Sequence, residues 1–224
     1  MTQKTGNKIK AIIFDMDGVI IDSVEIWKRA EKEIFSSVGV KLSDELCQVT
    51  ETMTTTEVTN FWFDRYPWKG KTLKEVESLV IERVAHLIKE EGKAIEGIEK
   101  LIRNLKVKGY KIGLATNSPS RLIPVVLEKL KIRDYFDVTS SAEHELEGKP
   151  NPLVYLTVAK KLNVEPESCV AIEDSSSGLL AAKKAGMKTI AILKNNQDNV
   201  GNQIADKTFF LLQPKYMALK NYGQ

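Results

Sequence analysis

Ala11-Ile12-Ile13-Phe14-Asp15-Met16-Asp17-Gly18-Val19-Ile20 is the stretch on which the reading of this chain turns. A short apolar run that stops at carboxylates reads as a buried strand of a parallel sheet, which opens its ligand crevice outside the strand carboxyl ends. Unpaired negative charge is costly there. Asp15 and Asp17 stand two residues apart on an extended chain, so both can approach one site, and Gly18 lets the backbone turn sharply just after them. A magnesium ion would relieve their repulsion. Alone, an Asp-any-Asp-Gly string arises by chance in roughly one chain in thirty of this size, and a capped turn with surface acids is the alternative.

Outward from this stretch, short apolar runs recur at Ile112 to Ala115, Cys169 to Ile172 and Thr189 to Leu193, with Phe136 to Val138 a weaker one. Between them Ile98-Leu101-Ile102-Leu105, Leu122-Val125-Val126-Leu130 and Leu153-Leu156-Ala159-Leu162 carry apolar residues at helical spacing. Gly109 and Gly186 follow two of the helical stretches as terminators. The alternation predicts an α/β fold, a Rossmann-like parallel-sheet core. It fails between Asp22 and about Lys93, where amphipathic patterns such as Trp27-Ala30-Ile34-Phe35 and Val76-Val80-Val84-Leu87 follow one another without a clear strand. That segment reads as a helical insert, with Tyr66-Pro67-Trp68-Lys69-Gly70 as a turn between two of its helices. The core is expected over residues 1–21 and 94–224 and the inserted cap over 22–93.

A second acidic strand end occurs at Ala171-Ile172-Glu173-Asp174-Ser175 and runs through Ser176-Ser177-Gly178 into the apolar helix Leu179 to Ala185. Asp174 can complete an all-oxygen metal site with the Asp15 side chain and the Asp17 carbonyl, leaving positions for water and a substrate phosphate as magnesium prefers. Glu173 is placed behind it, holding a water or ligand. Thr116-Asn117-Ser118-Pro119 ends another strand, and its hydroxyl and amides at the start of a helix can bind phosphate oxygens or act as an ordinary cap. Lys149, in Gly148-Lys149-Pro150-Asn151-Pro152, can aim one ammonium into the crevice; the alternative is a solvated surface lysine.

The bulk properties agree with a soluble enzyme on a small substrate. The chain has 224 residues, 42% hydrophobic and 28% charged, and a formal charge of +3. Its lysines are scattered and not gathered in a stripe, which gives nucleic-acid binding little support. Two cysteines, Cys47 and Cys169, can build neither a disulfide framework nor a four-cysteine zinc site, and suit a reducing cytoplasm. No signal-peptide core and no bilayer-length apolar run is present. Partner proteins leave no readable trace.

The four pieces around Asp15, Thr116, Lys149 and Asp174, each after an expected strand and in this order, resemble the haloacid dehalogenase-like phosphohydrolase superfamily over nearly the whole chain. The resemblance implies Asp15 as nucleophile, Asp17 as general acid and base, Thr116, Asn117 and Lys149 as phosphate ligands, and magnesium on Asp15, Asp17 and Asp174. Dehalogenases of the superfamily usually lack the second aspartate, so Asp17 argues for phosphate chemistry. The insert has the position and length of the family's helical cap, which reads the non-phosphate part of the substrate; Ser118, Trp27 and Thr54 are the expected substrate-facing residues, although Thr54 and Thr55 can equally cap a helix. The strings Ile26-Trp27-Lys28-Arg29-Ala30-Glu31, Phe61-Trp62 and Ser141-Ala142-Glu143 look like the sugar-phosphate branch with hexitol phosphatase and 2-deoxyglucose-6-phosphate phosphatase. β-Phosphoglucomutase is the competing branch; its cap histidine falls near Trp27, which cannot move a proton in that way. A catalytically silent phosphate-binding protein is the other alternative. The stretch Glu51 to Thr56 lacks the glycine and basic residue many relatives carry, and Val24 stands where many have glutamate. Trp62 and Trp68 read as packing residues, His86 as structural, His144 as a possible border of the site, and Lys183-Lys184 as a solvated helix face.

Overall fold

A computed structural model describes residues 8–50, 53–193 and 203–210. The first residues of the chain and residues 51–52 of the cap stretch lie outside them. Strands β1 (Ala11–Phe14), β2 (Lys111–Thr116), β3 (Val138–Ser141), β4 (Cys169–Glu173), β5 (Lys188–Leu193) and β6 (Lys207–Phe210) form one sheet in the order β3-β2-β1-β4-β5-β6, every pair parallel. Two strands depart from the sequence reading. β3 lies later than Phe136 to Val138, in the more polar Val138-Thr139-Ser140-Ser141, and β6 follows an interval with no strong apolar run.

Helices α1 (Val24–Ser37), α2 (Asp44–Thr50), α3 (Thr55–Arg65) and α4 (Leu73–Glu91) come between β1 and the core helices α5 (Ile98–Val107), α6 (Leu122–Lys129), α7 (Leu153–Leu162) and α8 (Ser176–Lys184). This is the expected parallel-sheet core with a helical cap inserted in it. Alternation along the strands divides the core: Ile12, Phe14, Ile112, Leu114 and Ile172 join the apolar body shared with α5, α6 and the insert. Ala11, Ile13, Ala115 and Ala171 pack with α7 and α8 on the other face.

Phe35, Trp62 and Trp68 form the aromatic centre of the insert, with ring centroids 6.3 Å apart for Phe35–Trp62 and for Phe35–Trp68. The two tryptophans therefore pack, as expected. The indole nitrogens of both are buried with no hydrogen-bond partner among the described residues. Thr54 with Glu57 and Thr72 with Glu75 form capping boxes that start α3 and α4, each contributing about 1 kcal/mol.

The chain crosses between sheet and insert twice, and the crossings are stitched together: Asp22 N donates to Lys93 O at 3.0 Å and Ile95 N to Ile20 O at 3.0 Å. Farther out, α4 leans on α6, where Lys129 Nζ donates to Lys89 O at 2.6 Å. The insert thus stands over the carboxyl end of the sheet.

Candidate active site

Parallel register decides what meets Asp15. Phe14 pairs with Leu114 on one side and Ile172 on the other, and Asp15 N donates to Ile172 O at 2.9 Å. One residue on, Asp15 is level with Ala115 and Glu173, at the switch point where strand order reverses. Lys149 Nζ closes this row from the loop before α7. It donates to Asp15 Oδ1 at 2.5 Å, Glu173 Oε1 at 2.7 Å and Ala115 O at 2.9 Å, and stands 5.0 Å over the Tyr155 ring. Lys149 is buried, not the solvated lysine of the alternative reading.

Glu173 is fully enclosed and works as an acceptor. Besides Lys149, the Tyr155 hydroxyl donates to Oε1 at 2.9 Å, while Asp174 N, Ser175 N and Ser175 Oγ donate to Oε2 at 3.1, 3.2 and 3.0 Å. The room it fills comes from Gly178, where an added Cβ would stand 1.7 Å from Glu173 Oε1. Tyr155 was invisible in the sequence because it sits within an apolar helical stripe. Ser175 N-caps α8 at the same time, accepting from Gly178 N at 3.1 Å.

The loop after β1 turns at Gly18, whose φ is +74°, and Gly18 N donates to Ile21 O at 2.8 Å. Asp17 is thereby turned toward the insert. Its Oδ1 accepts from Ser23 Oγ at 2.6 Å and from Trp27 Nε1 at 3.0 Å, and its Oδ2 accepts from Ser118 Oγ at 2.6 Å. Trp27 and Ser118, expected to face substrate, spend these donors on Asp17. The Ser23 contact was not foreseen, since a serine at a helix start reads as a cap.

Thr116 is buried at the end of β2, its Oγ1 accepting from Ser118 N at 3.0 Å. Asn117 Oδ1 accepts from Lys149 N at 2.9 Å and so ties the β2 loop to the lysine loop. One local expectation needs correcting: α6 begins at Leu122, several residues beyond Thr116, because Pro119, Ser120 and Arg121 form an intervening turn. The Thr116–Ser118 amides are therefore not at the helix start. Thr54 also departs from expectation. Its hydroxyl serves the α3 capping box, and Thr55, not Thr54, lines the cavity. His144 is exposed and lines no part of the cavity, and His86 pairs with Glu90 at 3.2 Å on the surface. Lys183 is not simply solvated, for it pairs with Asp206.

Buried negative charge dominates the electrostatics. Burial pushes the Asp15 carboxyl up to about 8, with Lys149 opposing the rise and Glu173 and Asp17 adding to it. Burial, then Glu173 and Asp15, hold Asp174 well above the usual carboxylate range. Burial works to lower Lys149, but Asp15 and Glu173 outweigh it and keep the ammonium above its ordinary value. One lysine thus faces a surplus of carboxylates. Asp15, Glu173 and Asp174 each bring an oxygen within 4.8 Å of the others, an all-oxygen donor set suited to a hard divalent cation. Since five donors already occupy Glu173, Asp15 and Asp174 are the better-placed ligands, and the Asp17 carbonyl is the third of the sequence reading.

Above this floor lies a cavity of about 1310 Å³, bounded by Asp15, Asp17, Thr116, Asn117, Ser118, Lys149 and Asp174 below and by residues of the insert, Trp27, Glu31, Thr50, Thr55 and Val58 among them, above. A parallel sheet carrying an aspartate, a partnered lysine and a carboxylate cluster under a helical cap defines a hydrolytic enzyme of the phosphate-handling kind. The family described as haloacid dehalogenase-like hydrolase matches residues 12–192, and the chain belongs to that family. It is 40% identical to hexitol phosphatase B of Escherichia coli over 84% of this chain and 85% of that one. It is 30% identical to the β-phosphoglucomutase of Bacillus subtilis over 93% and 96%. Among solved structures, CbbY of Rhodobacter sphaeroides in complex with phosphate superposes with a TM-score of 0.80 at 28% identity, covering 90% of this chain and 93% of that one.

Proposed function

We propose that this phosphoric monoester hydrolase is a cytoplasmic, magnesium-dependent phosphatase of a small sugar or sugar-alcohol phosphate, working through a phosphoaspartate on Asp15. The observation that carries the reading is the Lys149–Asp15 contact of 2.5 Å at the floor of the cavity. It orients the carboxylate and supplies positive charge where a phosphoryl group would arrive. An Asp15 oxygen attacks phosphorus, forming the aspartyl O–P bond as the ester P–O bond breaks. Asp17 gives its proton to the departing alkoxide, then takes one from the water that cleaves the aspartyl phosphate and frees inorganic phosphate. Lys149, Thr116 and Asn117 hold the phosphate oxygens. Asp15, the Asp17 carbonyl and Asp174 would hold magnesium, which when bound would offset phosphoryl charge. Residues 22–93 act as the cap that excludes water, and Ser23, Trp27 and Ser118 position Asp17.

The similarity to hexitol phosphatase B favours hexitol phosphates. The near full-length likeness to β-phosphoglucomutase favours a second reading as a phosphosugar mutase. Against it, the cap group on Asp17 is an indole N–H, which donates and cannot accept a proton. The deciding experiment measures phosphate release from sugar, polyol and nucleotide monophosphates with magnesium, beside Asp15→Asn and a glucose-phosphate isomerisation assay. Selective release lost in Asp15→Asn is expected. Isomerisation without net release would establish the mutase, and an active Asp15→Asn protein would remove Asp15 as nucleophile.

A further inference from the structure

The insert contributes one carboxylate to the cavity that the proposed chemistry does not use. Glu31 lines it from α1 and, among the described residues, has no hydrogen-bond or ion-pair partner. Burial pushes its carboxyl up to about 7. Two other acids of the insert are matched, Glu33 with Arg83 at 2.6 Å and Glu91 with Arg29 at 2.5 Å. Glu31 is partly buried, and an unpartnered carboxylate in such a place is costly to keep. A ligand that donates to it would offset that cost.

Its place on the helix says which part of a ligand it meets. Ser23, the N-cap of α1, Trp27 and Glu31 recur every four residues and climb one side of the helix, next to the stripe of Ile26 and Ala30. The first two reach Asp17. Glu31 lies one turn farther, about 6 Å beyond Trp27 along the axis. The face therefore runs from the leaving-group end of the floor toward the far end of the cavity, and a cavity of about 1310 Å³ has room for much more than a phosphate.

We propose that Glu31 is the specificity residue for the end of the substrate remote from phosphorus, accepting hydrogen bonds from terminal or vicinal hydroxyls of a hexitol-sized polyol phosphate. This rests on the sugar-phosphate reading above. A carboxylate with two adjacent oxygens suits a pair of neighbouring hydroxyls, and a pocket left with an unpaired carboxyl rejects ligands that lack them.

The test compares kcat/KM for glucitol 6-phosphate, its 1-deoxy and 2-deoxy analogues, and glycerol 3-phosphate in the wild-type protein, Glu31→Gln and Glu31→Ala, with thermal unfolding recorded for each. The expected result is a fall of roughly 10- to 100-fold in the glucitol-to-glycerol phosphate ratio for Glu31→Ala. A deoxy penalty should be present in the wild type and lost in the variant. An unchanged ratio, or a deoxy penalty of equal size in both, overturns the inference and leaves the phosphatase reading standing. Wild-type protein that hydrolyses short phosphates but no hexose or hexitol phosphate overturns both. The deoxy penalty in the wild type needs no variant to fold, so its absence is decisive against Glu31 by itself.

Discussion

Gly18 and Asp174 hold their positions only together: a Cβ on Gly18 would stand 1.8 Å from Asp174 Oδ2. The glycine also sits at φ +74°, which costs another residue about 1–2 kcal/mol. Gly18→Ala should therefore displace Asp174 by a sizeable fraction of an ångström or more and lower turnover about 10²-fold. It should also raise the magnesium concentration that half-activates the enzyme. A magnesium titration of phosphate release checks this, and an unshifted midpoint in the variant would show that Asp174 does not hold the metal.

Asp17→Asn keeps the shape of the side chain that Ser23, Trp27 and Ser118 surround but removes its proton chemistry. The expected loss is about 10²–10⁴-fold on alkyl phosphates. On p-nitrophenyl phosphate, whose leaving group departs without help, the loss in kcat/KM, which reads the first transfer and not the later hydrolysis that also uses Asp17, should be much smaller. Equal losses on both would count against the acid role.

Lys149→Met leaves Asp15 and Glu173 buried without their shared cation. Breaking a buried pair of this kind costs about 3–5 kcal/mol, to be read from urea unfolding at pH 9, above the Asp15 value of about 8. The deficit should shrink as pH falls through 8, because protonating Asp15 removes charge that no longer has a partner. A variant as stable as the wild type at pH 9 would mean that the carboxylates are already neutral there.

Glu31 gives stability a pH dependence of definite sign. Its carboxyl is raised from 4.5 to about 7 in the folded chain by burial, so between these values the native state binds a proton that the unfolded state has released. Stability from this group is full below about pH 4.5 and is lost as pH rises through 7. Glu31→Gln removes the liability. The variant should match the wild type near pH 4.5 and exceed it by about 1–3 kcal/mol at pH 8 in urea unfolding. Equal stability at both pH values would mean that Glu31 is hydrated in the native state.

The core strands were readable where apolar residues run uninterrupted, as at Ala11–Phe14 and Cys169–Glu173, since a strand covered on both faces needs nothing else. β3 was placed too early because its Thr139, Ser140 and Ser141 look like loop, and β6 went unseen because Lys207-Thr208 opens it. Both flank the outer part of the sheet, where pairing with a neighbour outweighs side-chain pattern. Trp27 was chosen as a residue of the site, but its partner could not be chosen, since the turn at Gly18 decides which way Asp17 faces.

Sequence alone determined the fold class and picked out Asp15, Lys149 and Asp174, which the structure gathers at the floor of the cavity. Strand ends are marked by a local switch from apolar to acidic residues, and an aspartate, a lysine and a second aspartate in that order leave few arrangements on a parallel sheet. Only the tertiary structure decided the pairings: Lys149 with Asp15 and Glu173 across 134 and 24 residues, Ser118 with Asp17 across 101, and Glu31 with no partner among the described residues. Parallel register and the folding of the insert over the sheet bring such groups within reach. Neither leaves a periodic trace in the chain, because contact between distant segments depends on where whole elements pack and not on the residues beside them.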